Sequence, residues 1–248
     1  MEKLLEEITT CENIKKTFNG NCDCDCENII KSQKCSEYKD FQLPEPWNGD
    51  LENCKILFIS SNPSFNSEEY YPLGDWDKSK VSDFFINRFN KNEDKNIWVK
   101  DELRPQLKDG DYSKKKNWVR FWAAVRSIAR VILDTRSTNA GKDYALTEIV
   151  HCKSKDEEGV QEAMKTCADK YLDRIIKITK AKIIICLGEK ASNVVKNRYR
   201  IETTEKFFEN STMDKVFLFL PHPNAHVERK LNKILTQDEL EKVKNKLK

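Results

Sequence analysis

Three short polar clusters stand where apolar runs end, and their side chains are of kinds that handle water and protons. The first is Ser60-Ser61-Asn62-Pro63-Ser64-Phe65, after Ile56-Leu57-Phe58-Ile59. The second is Thr147-Glu148, followed by Ile149-Val150-His151-Cys152. The third is Pro221-His222-Pro223-Asn224, after Val216-Phe217-Leu218-Phe219-Leu220. An amide can orient a water through its oxygen. A carboxylate accepts hydrogen bonds or, when protonated, donates one, and an imidazole can donate to an atom on which negative charge grows. A second chemistry belongs to the nine cysteines. Cys22, Cys24, Cys26 and Cys35 fall within fourteen residues, and fourteen residues separate Cys152 from Cys167. Cys54 and Cys186 lie inside apolar runs and read as buried small hydrophobes.

These clusters need a scaffold that brings strand ends together. Apolar runs of strand length at 55–60, 144–150, 183–188 and 216–220 alternate with helical patterns at 79–90, 117–134, 159–179 and 189–197. Such alternation predicts an α/β sandwich of three layers around a largely parallel sheet, with the polar clusters at its carboxyl edge. Residues 2–18 read as one helix on Leu4, Leu5, Ile8 and Ile14, and the chain closes in a charged helix over roughly 226–247. The pattern over 117–134 places Trp118, Phe121, Trp122, Val125, Ile128, Ala129 and Ile132 on one face, read as core rather than as a platform for stacking bases. Residues 91–116 are lysine-rich and read as a surface excursion. The whole of 1–248 reads as a single domain with a cysteine-rich segment at about 22–35.

Composition bounds the reading. The chain is 38% hydrophobic and 34% charged, with a formal net charge of +3. That balance permits a nucleic-acid partner without arguing for one, and the clusters Lys114-Lys115-Lys116 and Arg229-Lys230 carry the local charge. No apolar run reaches membrane-spanning length. Met1 to Glu7 is acidic and amphipathic and does not read as a signal peptide, so a cytoplasmic location is expected. In that setting a disulfide framework is disfavoured, and metal or redox use of the cysteines reads better. No Gly-x-Gly-x-x-Gly or Walker-type loop is present, so no nucleotide cofactor is expected. A monomer is expected.

Taken together, the strand ending in Ser60-Ser61-Asn62-Pro63-Ser64, the His222-Pro223-Asn224 loop, and the strand Ile183 to Gly188 followed by Ala191 resemble the uracil-DNA glycosylase superfamily from about Cys26 to Leu231. Serines replace both glycines of the Gly-x-Asn-Pro-Gly form, and Asn224 replaces the serine of His-Pro-Ser. The resemblance implies DNA as partner, a target base flipped out of the stack, and hydrolysis of its N-glycosidic bond. It implies Asn62 and His222 as catalytic residues, orienting water and stabilising the leaving base. It implies Phe65, Glu148, Ser61 and Asn224 as base-binding residues, and Ser64, Lys153, His226 and Arg229 as DNA contacts. His226 is a candidate to fill the gap in the duplex, against the plainer role of opening the last helix.

The cysteine layout resembles the iron–sulfur class of that superfamily, which implies a [4Fe–4S] cluster held by Cys26, Cys35, Cys152 and Cys167. Cys24 or Cys22 are alternatives for the first ligand, and a structural zinc is an alternative for the metal. In that class an Asn that reads uracil stands four residues before the third cysteine, where this chain has Glu148. An ionised Glu only accepts, and would face uracil O4 with like partial charge. Cytosine offers an amino group instead, and a protonated Glu could also donate to cytosine N3. The expectation is therefore a glycosylase of a modified cytosine, with a phage-defence or repair role. Two alternatives stand beside it: a uracil-DNA glycosylase with Glu148 turned away, and a non-catalytic nucleic-acid-binding relative.

Overall fold

The computed structural model describes residues 1–89, 98–228 and 230–247. Its centre is a five-stranded sheet in the order β4-β1-β5-β7-β6. β1 is Ile56–Ser60, β4 is Tyr144–Glu148, β5 is Ile183–Leu187, β6 is Phe207–Asn210 and β7 is Lys215–Leu220. β1 pairs in parallel with β4 and β5, and β5 with β7, while β6 runs antiparallel on the edge. A separate two-stranded ladder joins β2, Val99–Lys100, to β3, Arg104–Pro105.

The helices are α1 Glu2–Thr9, α2 Glu12–Phe18, α3 Glu27–Lys31, α4 Lys78–Asn87, α5 Arg120–Ile132, α6 Val160–Ile178, α7 Glu189–Tyr199, α8 Leu231–Ile234 and α9 Gln237–Asn245. They cover both faces of the sheet. Leu57, Ile59, Ala145, Ile184 and Phe217 join a core with α1, α2, α3, α6 and α7. Their alternates Ile56, Phe58, Leu146, Ile185 and Leu218 join a core with α5, α8 and α9. With both faces buried, side chains of opposite orientation are apolar alike, which is why these strands read as continuous runs. The chain is thus the expected α/β sandwich, and Cys54 and Cys186 are buried within it.

Several boundaries differ from the sequence expectation for local reasons. The helix expected over 2–18 breaks between α1 and α2. Thr9 and Thr10 turn their hydroxyls back onto the carbonyls of Leu5 and Glu6, and Cys11 takes extended backbone as the first residue before α2. The closing helix expected over 226–247 is two, with a capping box of Thr236 and Glu239 starting the second. β6 was not expected, because an edge strand half open to water carries no continuous apolar signal. Part of the lysine-rich excursion, 90–97, lies outside the described residues, but the rest is more than surface: Trp98 and Leu103 are buried.

The registers decide where the chemistry lies. Ser60 stands opposite Glu148, and Leu187 opposite Leu220. All four parallel strands therefore release their loops at one edge, where an α/β sheet can gather side chains from distant parts of the chain.

Candidate active site and cysteine pocket

The loop after β1 is tied to the loop after β4 by a run of backbone bonds. Ile149 N–H donates to Ser60 O, Val150 N–H to Ser61 O, Ser154 N–H to Pro63 O, and Phe65 N–H to Ser154 O. This ladder holds Asn62 in a single orientation. Its Nδ2 donates to Pro63 O at 3.1 Å and contacts Ser154 Oγ at 3.1 Å. A carbonyl can only accept, so the amide nitrogen lies on that side and Oδ1 lies on the other, where the Ser61 hydroxyl donates to it at 3.3 Å. A second lone pair of Oδ1 is left to accept from a water.

Glu148 ends β4 fully inside the protein, accepting a hydrogen bond from Ser60 Oγ. Burial, with the Glu45 carboxyl nearby, raises its pKa well above the ordinary carboxylate range, against the opposing pull of the Ser60 bond. The setting favours the protonated form, which has one donor as well as an acceptor.

His222 is half-buried after β7. The Asn224 backbone N–H donates to its Nδ1 at 3.2 Å, so Nδ1 is the acceptor and the ring proton sits on Nε2. Burial lowers its pKa, which keeps the ring neutral, while Glu157 pulls weakly the other way. The His222 loop can approach because residue 188 is glycine. Its φ is +91°, and a Cβ there would stand 3.3 Å from His222 Cβ.

Asn62, Glu148 and His222 line one cavity of about 590 Å³, together with Ser60, Ser64 and Asn224. The three strand-end clusters therefore form one site. Its aromatic wall differs from expectation. Phe65 is half-buried and is not among the lining residues; the wall is Phe121, Trp122 and Trp118 instead. Phe121 stacks on the His222 ring at 5.7 Å between centroids, and Trp118 is 48% exposed. The stripe read as core divides: Val125, Ile128, Ala129 and Ile132 are core, while the aromatics at its start face the cavity. A helical period cannot distinguish these, because Trp118 is extended backbone before the helix starts at Arg120 and the core ends partway along the helix.

Lys153 is corrected as well. It was expected on DNA but is 1% exposed, with Nζ 2.8 Å from Glu69 Oε2 and 3.6 Å from the centre of the Tyr71 ring. Arg88 bridges Glu69 and Glu45, the latter at 2.8 Å. Burial works against ionising Glu69, but Lys153 and Arg88 outweigh it and hold its carboxyl below the ordinary range. This closed network borders the cavity and was not foreseen, because nothing in the local sequence separates a buried lysine from a solvated one.

The other expected residues are placed as follows. Ser61 is buried behind Asn62 and bonds to it. Ser64 and Asn224 are exposed at the cavity mouth. His226 is exposed in the loop before α8 and opens no helix; beside it Val227 is 57% exposed. Arg229 lies outside the described residues. The cluster Lys114 to Lys116 is exposed, and Lys116 and Arg120 stand on the cavity rim.

The cysteines regroup. Cys11, Cys26, Cys152 and Cys167 line one small apolar pocket, with Tyr171 and Asn13 beside them. Asn13 Nδ2 donates to Cys26 Sγ at 3.4 Å, and Lys170 Nζ stands 3.9 Å from Cys11 Sγ. Cys35 is elsewhere, its thiol donating to Asp40 O at 3.3 Å. Cys22 and Cys24 form a disulfide with each other, a local bridge where a disulfide framework was disfavoured and either cysteine was an alternative metal ligand. The break between α1 and α2 turns Cys11 toward the pocket, and a helix expected to run unbroken through it concealed that. Burial raises the Cys152 thiol well above its ordinary range and the Cys167 thiol to about 12.

Among the described residues, no three His, Cys, Asp or Glu side chains already stand close enough to ligate a single ion, and no helix is long and apolar enough to cross a membrane. No curated protein matches the chain. A family model described as the Uracil DNA glycosylase superfamily matches residues 46–248.

Proposed function

Because the chain belongs to the uracil-DNA glycosylase superfamily, a family that acts on DNA, we propose that it hydrolyses the N-glycosidic bond of a flipped, modified cytosine. The observation that carries this reading is Glu148, buried at the end of β4 on the cavity wall and bonded to Ser60, where burial favours its protonated form. Uracil leaves as an anion spread over two carbonyls and needs only hydrogen bonds. Cytosine lacks the second carbonyl and leaves more readily once N3 is protonated. A neutral acid in a dry pocket is suited to give that proton, and its carbonyl oxygen accepts from the cytosine amino group. His222 Nε2–H stabilises the carbonyl oxygen O2 of the leaving base, and Asn62 Oδ1 orients the attacking water.

The cavity of about 590 Å³ leaves room for a substituent on the ring. Excision of ordinary cytosine would destroy the host genome, so the target is a modified form, and hypermodified phage cytosine would make the activity a defence. Trp118, Phe121 and Trp122 supply faces for the flipped base. Lys116, Arg120 and Ser64 at the rim suit phosphates, and His226 and Val227, exposed in the loop after His222, are candidates for a wedge into the duplex. The second reading, uracil, draws on the same residue: a neutral Glu148 can donate to O4 and accept from N3–H as an amide does.

The four-cysteine pocket supports a metal centre held by Cys11, Cys26, Cys152 and Cys167. The donor set fits: four sulfurs, no carboxylate, apolar walls, and thiols whose ionisation under burial calls for a cationic partner. A [4Fe–4S] cluster, or alternatively zinc, would supply a structural crosslink between the N-terminal helices and the loop after β4.

Base release from defined duplexes tests the function. Modified cytosine should be released, uracil more slowly, and Asn62→Ala should cut release by about 100-fold while duplex affinity stays constant. Rapid uracil release that Glu148→Gln leaves unchanged would return the uracil reading. No released base on any substrate would leave a binding relative.

A further inference from the structure

Asn62 can orient a water but cannot take its proton, because an amide oxygen is too weak a base. Of the carboxyls lining the cavity, Glu45 and Glu69 are engaged by Arg88 and Lys153 and burial favours the protonated form of Glu148; a further carboxylate, Glu157, stands outside the lining, beyond Ser61. Ser61 Oγ is 3.3 Å from Asn62 Oδ1 and 3.5 Å from Glu157 Oε1, and its one proton serves one of these acceptors at a time; turned to Glu157, it leaves Ser61 Oγ free to accept from a water held by Asn62. The other carboxylate oxygen, Oε2, is held by Lys190 Nζ at 2.5 Å, from the start of α7. Glu157 also lies close enough to His222 to act on its charge.

The backbone presents Glu157 at a cost. Asp156 and Glu157 have φ of 53° and 61°, a left-handed conformation that side chains other than glycine's disfavour, and Gly159 follows at 71°. Gly159 fixes the loop against α3, since a Cβ there would meet Ile29 N at 2.2 Å. The residue is thus aimed from two sides: the loop is pinned below it and Lys190 clamps it from above.

We propose that Glu157 serves the reaction at one remove, as the carboxylate that, through Ser61, receives the proton of the water oriented by Asn62. The proposal rests on the glycosylase reading above. As the C1′–N bond breaks, its electron pair leaves with the base. The water oxygen bonds to C1′ and its proton passes to the Ser61 hydroxyl as the hydroxyl proton passes to Glu157. Glu157 later returns that proton to solvent. Water and a base-bearing sugar become an abasic sugar and a free base, with no oxidant, metal or co-reactant involved.

The test is single-turnover base release with enzyme in excess, alongside affinity for a duplex carrying a non-cleavable nucleotide. Glu157→Gln is expected to lose about 100-fold in rate at unchanged affinity, the scale of general-base catalysis. Glu157→Asp should recover part of it, and Glu158→Gln, an equal charge change on the neighbouring exposed side chain, should match wild type. A Glu157→Gln rate within twofold of wild type would overturn the proposal. So would an equal gain in affinity and rate for Glu157→Gln and Glu158→Gln, which would make Glu157 a charge that merely repels DNA. A wild-type protein that releases no base would overturn the glycosylase reading and this assignment with it, an outcome distinct from an active wild type with an equally active variant.

Discussion

Glu148→Gln separates two properties of one proton. Gln keeps the size of Glu and still accepts from Ser60, but it has no proton to give and none to lose. In the folded protein Glu148 holds its proton above the ordinary carboxylate range, while in the unfolded chain it releases it within that range. Between those two points the folded state carries one more proton than the unfolded state. Stability then falls as pH rises, by at most ~1.4 kcal/mol per pH unit for a single group. The contribution is most favourable below the unfolded carboxylate value and shrinks as pH climbs through the window. Glu148→Gln removes this slope, so the variant should be no less stable than wild type in acid and more stable at neutral pH.

The same substitution should lower modified-cytosine release by about 100-fold or more, or ~2.7 kcal/mol in the barrier, if a proton is transferred to the base. Denaturant melts of both proteins from pH 5 to 8, read as their difference so that other titrating groups cancel, measure the first effect. Single-turnover release measures the second. Parallel stability curves would show Glu148 to be ionised like a surface carboxylate, and the argument from a buried acid would fail. Lost slope with unchanged release would keep the burial and refute the proton transfer.

Further outcomes follow from the same geometry. Cys11→Ser should lose bound metal and any visible iron–sulfur absorbance, whereas Cys35→Ser should keep both; the reverse would restore the ligand set expected from spacing. Lys153→Met leaves Glu69 buried with one cation fewer and should cost about 3–5 kcal/mol in a denaturant melt. DNA affinity of the surviving folded Lys153→Met protein should keep its salt dependence, since Lys153 makes no phosphate contact in this arrangement. Trp118→Ala removes a half-exposed ring from the cavity mouth and should weaken binding to a flipped-base substrate by about 1–3 kcal/mol, with little change in melting.

The frame of the candidate site was legible without coordinates because it is a strand-end frame. Apolar runs with both faces buried announce themselves, and the polar residues that terminate them mark one edge of the sheet. Asn62, Glu148 and His222 come from residues far apart in sequence and still reach one cavity, because parallel registers put those ends together. Their identities also set much of the chemistry: an amide, an acid and an imidazole.

Tertiary structure decided everything that depends on depth and on neighbours from other elements. Lys153 and Lys116 are the same residue type. Only packing makes one a buried partner of Glu69 and the other a rim cation. Trp118 and Val125 share a helical period, yet one faces the cavity and the other the core. Cys35 has the better sequence spacing, but a break between α1 and α2 delivers Cys11 to the pocket instead. Glu157 carries no motif at all, and its place beside Ser61 follows from two left-handed residues and a clamp from α7. Periodicity records which side of an element is apolar. Which carboxyl keeps its proton, which lysine loses its water and which thiols meet are set by desolvation and distance, and those exist only once the chain is folded.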